Sequence, residues 1–204
     1  MRHFVYFSAS AHTSGNFRTD ELMKAGRMDI VIHTIINSFF ISRQVREDVK
    51  LHLIFYGMPD PPKHIEITLK QKDGVSKTDE KGTLDISKKD IAGLIKKILY
   101  KYKEGKKTEV LPGCFIEKKS FLKVVDELSS EGKKIFILDK KGGSIREAKI
   151  PDNSVFILGD HDGLPKKELK RLKKLATQVS IGPKMYFASQ AITIVNNELD
   201  LRKL

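Results

Sequence analysis

The sequence predicts a single α/β domain with a mostly parallel sheet and helices on both faces. Three observations lead there. Short apolar, β-branched runs alternate with segments of helical period, the pattern that βα units write into a chain. Glycines gather just after the last three apolar runs, at Gly142 and Gly143, at Gly159 and Gly163, and at Gly182. No repeat and no linker long enough to separate independent units interrupts the 204 residues, so residues 1–204 read as one domain.

In chain order, residues 2–8 form the first candidate strand and residues 29–42 a helix, followed by strands at 50–56 and 64–69. Residues 71–82, rich in Lys, Asp, Gly, Ser and Thr and almost without apolar residues, read as a hairpin tip or exposed loop. The clearest helix opens at Ser87, which can cap it with Asp90 three residues on. It carries Ile91, Leu94, Ile95, Ile98, Leu99 and Tyr102 at 3.6-residue spacing before Gly105 ends it. A second runs over 118–131, with Phe121, Val124, Val125 and Leu128 on one face and Gly132 as its stop. Strands at 134–138 and 154–158 come next. A third helix follows Pro165, with Leu169, Leu172 and Leu175 inward and Lys166, Lys167, Lys170, Lys173 and Lys174 crowding the rest. A strand at 178–181 and a helix over 188–199 complete the series.

With 40% hydrophobic, 8% aromatic and 31% charged residues, the composition excludes collagen-like, low-complexity and largely disordered chains. The single Cys114 cannot form an internal disulfide, and no Cys/His cluster offers the four ligands of a structural zinc site, so a reducing compartment is expected. Nothing approaches eighteen consecutive apolar residues, and the apolar run at Phe4-Val5-Tyr6-Phe7 is too short for a signal sequence. The expectation is a soluble, cytoplasmic protein without membrane association. Thirty-eight Lys and Arg against twenty-six Asp and Glu leave a net charge of +12, the footprint of a polyanion binder. Adaptation to high temperature raises Lys and Glu together, whereas here lysine outruns the acids.

Neither G-x-x-x-x-G-K-[ST] nor G-x-G-x-x-G occurs, which argues against ATP hydrolysis and a standard dinucleotide site. In an open α/β sheet the ligand crevice lies outside the carboxyl ends of the strands, so three glycine-bearing loops at that edge predict a cofactor pocket. Taken alone, Gly159 and Gly163 could equally just end a strand and begin a helix.

The residues at those loops carry a resemblance. Phe156-Ile157-Leu158-Gly159-Asp160-His161-Asp162-Gly163-Leu164-Pro165, then Val179-Ser180-Ile181-Gly182-Pro183, then Met185-Tyr186-Phe187-Ala188-Ser189-Gln190 resemble the C-terminal motifs of the SPOUT methyltransferases. Arg2-His3-Phe4, Ala25-Gly26-Arg27-Met28-Asp29, Phe40-Ile41-Ser42 with Arg46 beyond, and Gly57-Met58-Pro59-Asp60-Pro61-Pro62 narrow it to the archaeal tRNA pseudouridine-54 N1-methyltransferase family. The resemblance spans essentially the whole chain. It implies a SPOUT domain whose C-terminal part, about residues 134–204, threads a trefoil knot and holds S-adenosylmethionine, with the N-terminal half on the RNA side. It also implies a homodimer and a tRNA substrate. Methylation of a pseudouridine in small-subunit ribosomal RNA, or a non-catalytic RNA-binding factor with the same fold, are the alternatives.

On that resemblance Leu138, Gly159, Ile181, Gly182, Pro183, Lys184, Met185 and Tyr186 are the cofactor-binding candidates, in a pocket mostly of backbone and hydrocarbon. Asp60, stiffened by flanking prolines, is the catalytic candidate, with a turn aspartate as its simpler reading. Pseudouridine keeps a hydrogen on N1 that must leave when a methyl arrives, and a carboxylate held there can accept it. Arg2, Arg27 and Arg46 are candidates for substrate RNA, since a guanidinium grips phosphate bidentately; each could instead form an ion pair with a neighbour such as Asp29 or Glu47. Asp160, His161 and Asp162 could ligate a metal, but adjacent residues on a tight turn rarely converge on one ion, and no metal is expected. One of these acids is expected to cap the helix after Pro165 and another to face the sulfonium or the substrate. Cys114 has no partner that would activate it and reads as inert. On helix 188–199, Ile192, Val195 and Leu199 form either a dimer face or internal core.

Overall fold

A computed structural model describes residues 1–42, 44–70, 77–78, 84–85 and 87–204. Its centre is an eight-stranded sheet in the order β12-β10-β11-β1-β4-β5-β9-β8. The strands are β1 (Arg2–Ser8), β4 (Val49–Phe55), β5 (Lys63–Ile67), β8 (Thr108–Leu111), β9 (Cys114–Glu117), β10 (Lys134–Ser144), β11 (Ser154–Gly159) and β12 (Thr177–Ser180). Short pairs β2 (Phe40–Ile41) with β3 (Gln44–Val45), and β6 (Lys77–Thr78) with β7 (Leu84–Asp85), lie outside it. From β12 to β4 every pairing is parallel, and from β4 to β8 every pairing is antiparallel. The parallel block is the half that ends in the glycine loops.

Five α-helices flank the sheet: α1 (Met28–Phe39), α2 (Lys88–Tyr100), α3 (Phe121–Ser130), α4 (Lys166–Leu175) and α5 (Ala188–Leu201). Side chains alternate across the strands, so Phe4 and Tyr6 of β1 join a core with α1, α2 and α5, while Val5 and Phe7 join another with α3 and α4. Helices therefore cover both faces, as expected of a parallel sheet whose strands bury both sides. The cap at Ser87 is present: its Oγ accepts the Asp90 N–H at 3.1 Å. Ser120 caps α3, which begins three residues later than its periodicity suggests.

Several elements depart from the sequence expectation. α1 stops at Phe39 because Phe40 turns extended and pairs with Val45. The β8–β9 hairpin around Pro112-Gly113 is an element that the apolar-run reading passed over. β10 runs on to Ser144 because residues 139–142 bulge out and Gly143 regains pairing with Val179. Leu175 of α4 is exposed, leaving Leu172 as that helix's fully buried residue. Ile192, Val195 and Leu199 are buried in the core that α5 shares with α1, so the internal alternative is the one realised. The loop expected over 71–82 lies outside the described residues apart from 77–78. Among the described residues no helix is long and apolar enough to cross a membrane.

Candidate functional site

The site is built where β10, β11 and β12 end. β11 runs into a tight turn in which the Gly163 N–H bonds the Asp160 carbonyl at 3.0 Å. A Cβ on Gly159 would sit 2.4 Å from the Gly163 carbonyl carbon, and Gly163 holds φ at +78°. Both glycines are thus required by the turn itself. The Asp160 carboxylate accepts hydrogen bonds from Ser8 Oγ at 2.8 Å, the Ala9 N–H at 3.0 Å and the Asp162 N–H at 2.9 Å. It ties the β11 turn to the loop after β1. Although ligand atoms of Asp160, His161 and Asp162 lie within 4.8 Å of one another, both Asp160 oxygens already serve protein donors, which a metal would have to displace. Neither acid caps α4, whose N-cap is Pro165 with no side-chain bond.

Around these ends lies a hollow of about 290 Å³. Leu138, Gly159, Ile181, Gly182, Lys184, Met185 and Tyr186 border it, as do Leu158, Leu164 and Ala188; Pro183 does not. The β10 bulge adds Asp139 and Lys140, which sequence reasoning missed because the bulge is set by pairing with β12 rather than by local pattern. The Lys141 N–H bonds the Asp139 carboxylate and, outweighing burial, holds it below the usual carboxylate range with help from Lys173. Walls of hydrocarbon and backbone with two carboxylates, Asp139 and Asp160, at the rim suit a flat, partly cationic ligand such as a sulfonium nucleoside.

A second hollow of about 250 Å³ shares Gly159, Asp160, Met185, Tyr186 and Ala188 with the first and adds Ile30, His161, Phe187 and Gln190. Met185 and Phe187 stand 82% and 63% exposed beside it, an apolar surface that a planar base could cover. Gln190 is more than a surface residue: its Oε1 accepts the Phe187 N–H at 3.0 Å and so fixes the start of α5, leaving its amide N–H groups free to donate.

Asp60 borders neither hollow. Its N–H bonds Thr13 Oγ1 at 2.8 Å, in the same loop whose Ala9 holds Asp160, so the two acids are joined through one segment. Its carboxylate accepts from Lys118 and from Lys63, and these two partners, in that order, hold it below the usual carboxylate range. Lys63 is itself buried and lies 3.9 Å from the Tyr102 ring centroid.

The three arginines are engaged within the fold. Arg2 is buried, pairing with Asp48 at 3.1 Å and Asp200 at 2.7 Å and donating to the Leu204 carbonyl, which takes it off any RNA surface. Arg46 holds Asp200, not Glu47, through two hydrogen bonds. Arg27 forks onto Asp29 with both contacts at 3.0 Å. Cys114 is buried on β9.

A sheet with parallel strands, and a hollow at their carboxyl ends made of glycine turns, define an α/β protein that binds a small nucleoside-like ligand. The comparisons name the family. Residues 1–204 match the family described as "Putative SAM-dependent RNA methyltransferase", and the chain belongs to it. It is 36% identical to the "Putative pseudouridine methyltransferase" of Photobacterium profundum, covering 98% of this chain and 99% of that one. It is 33% identical to the "tRNA (pseudouridine(54)-N(1))-methyltransferase" of Methanococcoides burtonii, covering 98% and 96%. Among solved structures, Archaeoglobus fulgidus Nep1 bound to S-adenosylhomocysteine superposes with a TM-score of 0.59 over 99% of both chains, at 13% identity, a likeness of fold.

Proposed function

We propose that the protein transfers the methyl group of S-adenosylmethionine to N1 of pseudouridine 54 in the T-loop of tRNA, acting as a cytoplasmic homodimer. The observation that carries the reading is the pair of hollows with a common wall at Gly159, Asp160, Met185, Tyr186 and Ala188, in a chain related end to end to a tRNA pseudouridine methyltransferase. One hollow is apt for the methyl donor and the other for a base drawn out of the RNA. When bound, S-adenosylmethionine supplies an electrophilic methyl carbon. The chain supplies orientation and the handling of charge. Leu138 and Ile181 give the donor hollow apolar walls, and the ionised Asp139 and Asp160 favour a cation there. Met185 and Phe187 offer apolar surface to the base, and the Gln190 amide can donate to one of its carbonyls.

Transfer forms the N1–CH3 bond, breaks the S–CH3 bond and releases the N1 proton. Asp60 is the proposed acceptor of the N1–H hydrogen bond. Its two lysines lower its basicity, so it serves to orient and polarise N1–H as the proton departs to water. Uridine, joined to ribose through nitrogen, has no such hydrogen and is excluded. The test is a substrate panel: tRNA and a small-subunit ribosomal RNA hairpin, each with pseudouridine or uridine, assayed for methyl transfer. Methylation confined to pseudouridine-containing tRNA supports the reading; methylation of the ribosomal hairpin alone, or of none, overturns it.

A further inference from the structure

An RNA methyltransferase must grip a polyanion, yet Arg2, Arg27 and Arg46 all serve internal carboxylates. We propose that the outer ridge of α4 formed by Lys166, Lys167, Lys170 and Lys174 docks the phosphate backbone of the RNA substrate beside the donor hollow. This rests on the functional reading above and deepens it by assigning the surface.

The ridge follows from helical geometry. At 100° per residue the four lysines fall within a single arc of about 100°, and from Lys166 to Lys174 they extend about 12 Å along the helix, enough to meet several phosphates. All four are exposed. Among the described residues none of the four has a carboxylate partner, whereas their neighbours Arg171 and Lys173 are neutralised by Asp126 and Asp139. Elsewhere Lys50, Lys63, Lys107, Lys118, Lys119 and Lys133 are each paired with an acid. The unpaired set is therefore concentrated where the ligand hollow opens, since Leu164 and Leu169, at the start of α4, both line that hollow.

The arrangement works against the helix that carries it. Lys166 and Lys167 occupy the first turn, where the macrodipole favours acids, and Lys166–Lys170 and Lys170–Lys174 are like charges one turn apart. Only Leu172 of this helix is fully buried, so packing does not demand the pattern. A polyanion on the ridge relieves both penalties. Charge alone would also suit an anionic lipid surface; the donor hollow at the ridge's N-terminal end favours RNA.

The test compares Lys166→Gln/Lys167→Gln/Lys170→Gln/Lys174→Gln with a control of equal charge change, Lys97→Gln/Lys101→Gln/Lys103→Gln/Lys106→Gln, at and beyond the end of α2, which packs on the opposite face of the sheet. Binding of a pseudouridine-containing tRNA is measured by anisotropy across a salt series, with circular dichroism to check folding and calorimetry to check S-adenosylmethionine affinity. The ridge variant should flatten the slope of log K against log salt by about 3, the loss of four phosphate contacts, with cofactor affinity unchanged. The control should keep the parental slope. A parental slope in the ridge variant, equal flattening in both variants, or loss confined to phosphatidylglycerol vesicles would overturn the proposal. A parent that binds RNA but methylates none contradicts the functional reading instead, and leaves the comparison of slopes readable.

Discussion

Gly159 shows how a residue can be essential to a ligand site without facing the ligand. Its missing Cβ is required by the Gly163 backbone 2.4 Å away, so Gly159→Val forces the turn apart before it narrows the hollow. The expected loss is about 1–3 kcal/mol of stability, the usual scale of overpacking, together with loss of S-adenosylmethionine binding. Thermal unfolding and calorimetry on the variant check this, and a parental melting temperature would mean the turn is not as close as described. Asp60→Asn keeps the side chain's shape and removes the charge that Lys63 and Lys118 hold. Turnover on pseudouridine RNA should fall on the order of 100-fold while RNA and cofactor affinities stay near parental. Undiminished turnover would leave Asp60 as a turn residue that anchors two lysines.

At the scale of elements, the parts with local causes were legible. α2 carries its own stripe and cap, and Ser87→Ala should lower stability by about 1 kcal/mol, read as a shift in urea midpoint. An unchanged midpoint would mean that the end of α2 frays without consequence. The β8–β9 hairpin left a visible cue, alternating residues on either side of Pro112-Gly113, that a search for continuous apolar runs passes over. The β10 bulge left none, because it exists only in register with β12, and with it Asp139 and Lys140 escaped notice. The glycine loops pointed to the donor hollow because strand ends are local. The fate of the arginines was hidden: Arg27 and Asp29 are two residues apart, but Arg46 and Asp200 meet only through the tertiary fold.

Across the whole molecule, a chain of buried histidines crosses the sheet. His3 Nδ1 lies 3.2 Å from His52 Nε2, His52 Nδ1 lies 3.0 Å from His64 Nε2, and His64 Nδ1 lies 3.0 Å from Glu117 Oε1. Burial works to raise the Glu117 carboxyl, but hydrogen bonds from His64 and Lys119 prevail and hold it at about 2. An ionised carboxylate only accepts, so His64 donates from Nδ1, and each preceding histidine donates from Nδ1 in turn. Burial first, then Lys133 and Lys50, hold His3 at about 4, and burial with the flanking histidines holds His52 well below its usual range. In the unfolded chain these rings take up protons near pH 6.5, which the folded chain resists. Stability should therefore be flat above about pH 7 and decline as pH falls from 6.5 toward 4, by roughly 3 kcal/mol from His3 alone. Urea midpoints at pH 7.5, 6 and 5 measure it; a midpoint constant down to pH 5 would mean these rings are not neutral in the fold.

The central claim is that the three strand-end loops hold the methyl donor. Ala188 lines both hollows at the start of α5, and a phenyl ring there fills the space they share. Calorimetric titration of S-adenosylmethionine into the parent and into Ala188→Phe, with circular dichroism to confirm the fold, tests the claim most directly. Binding of one equivalent by the parent and none by the folded variant is the predicted result. Parental affinity in the folded variant would contradict it and move the donor site to another part of the molecule.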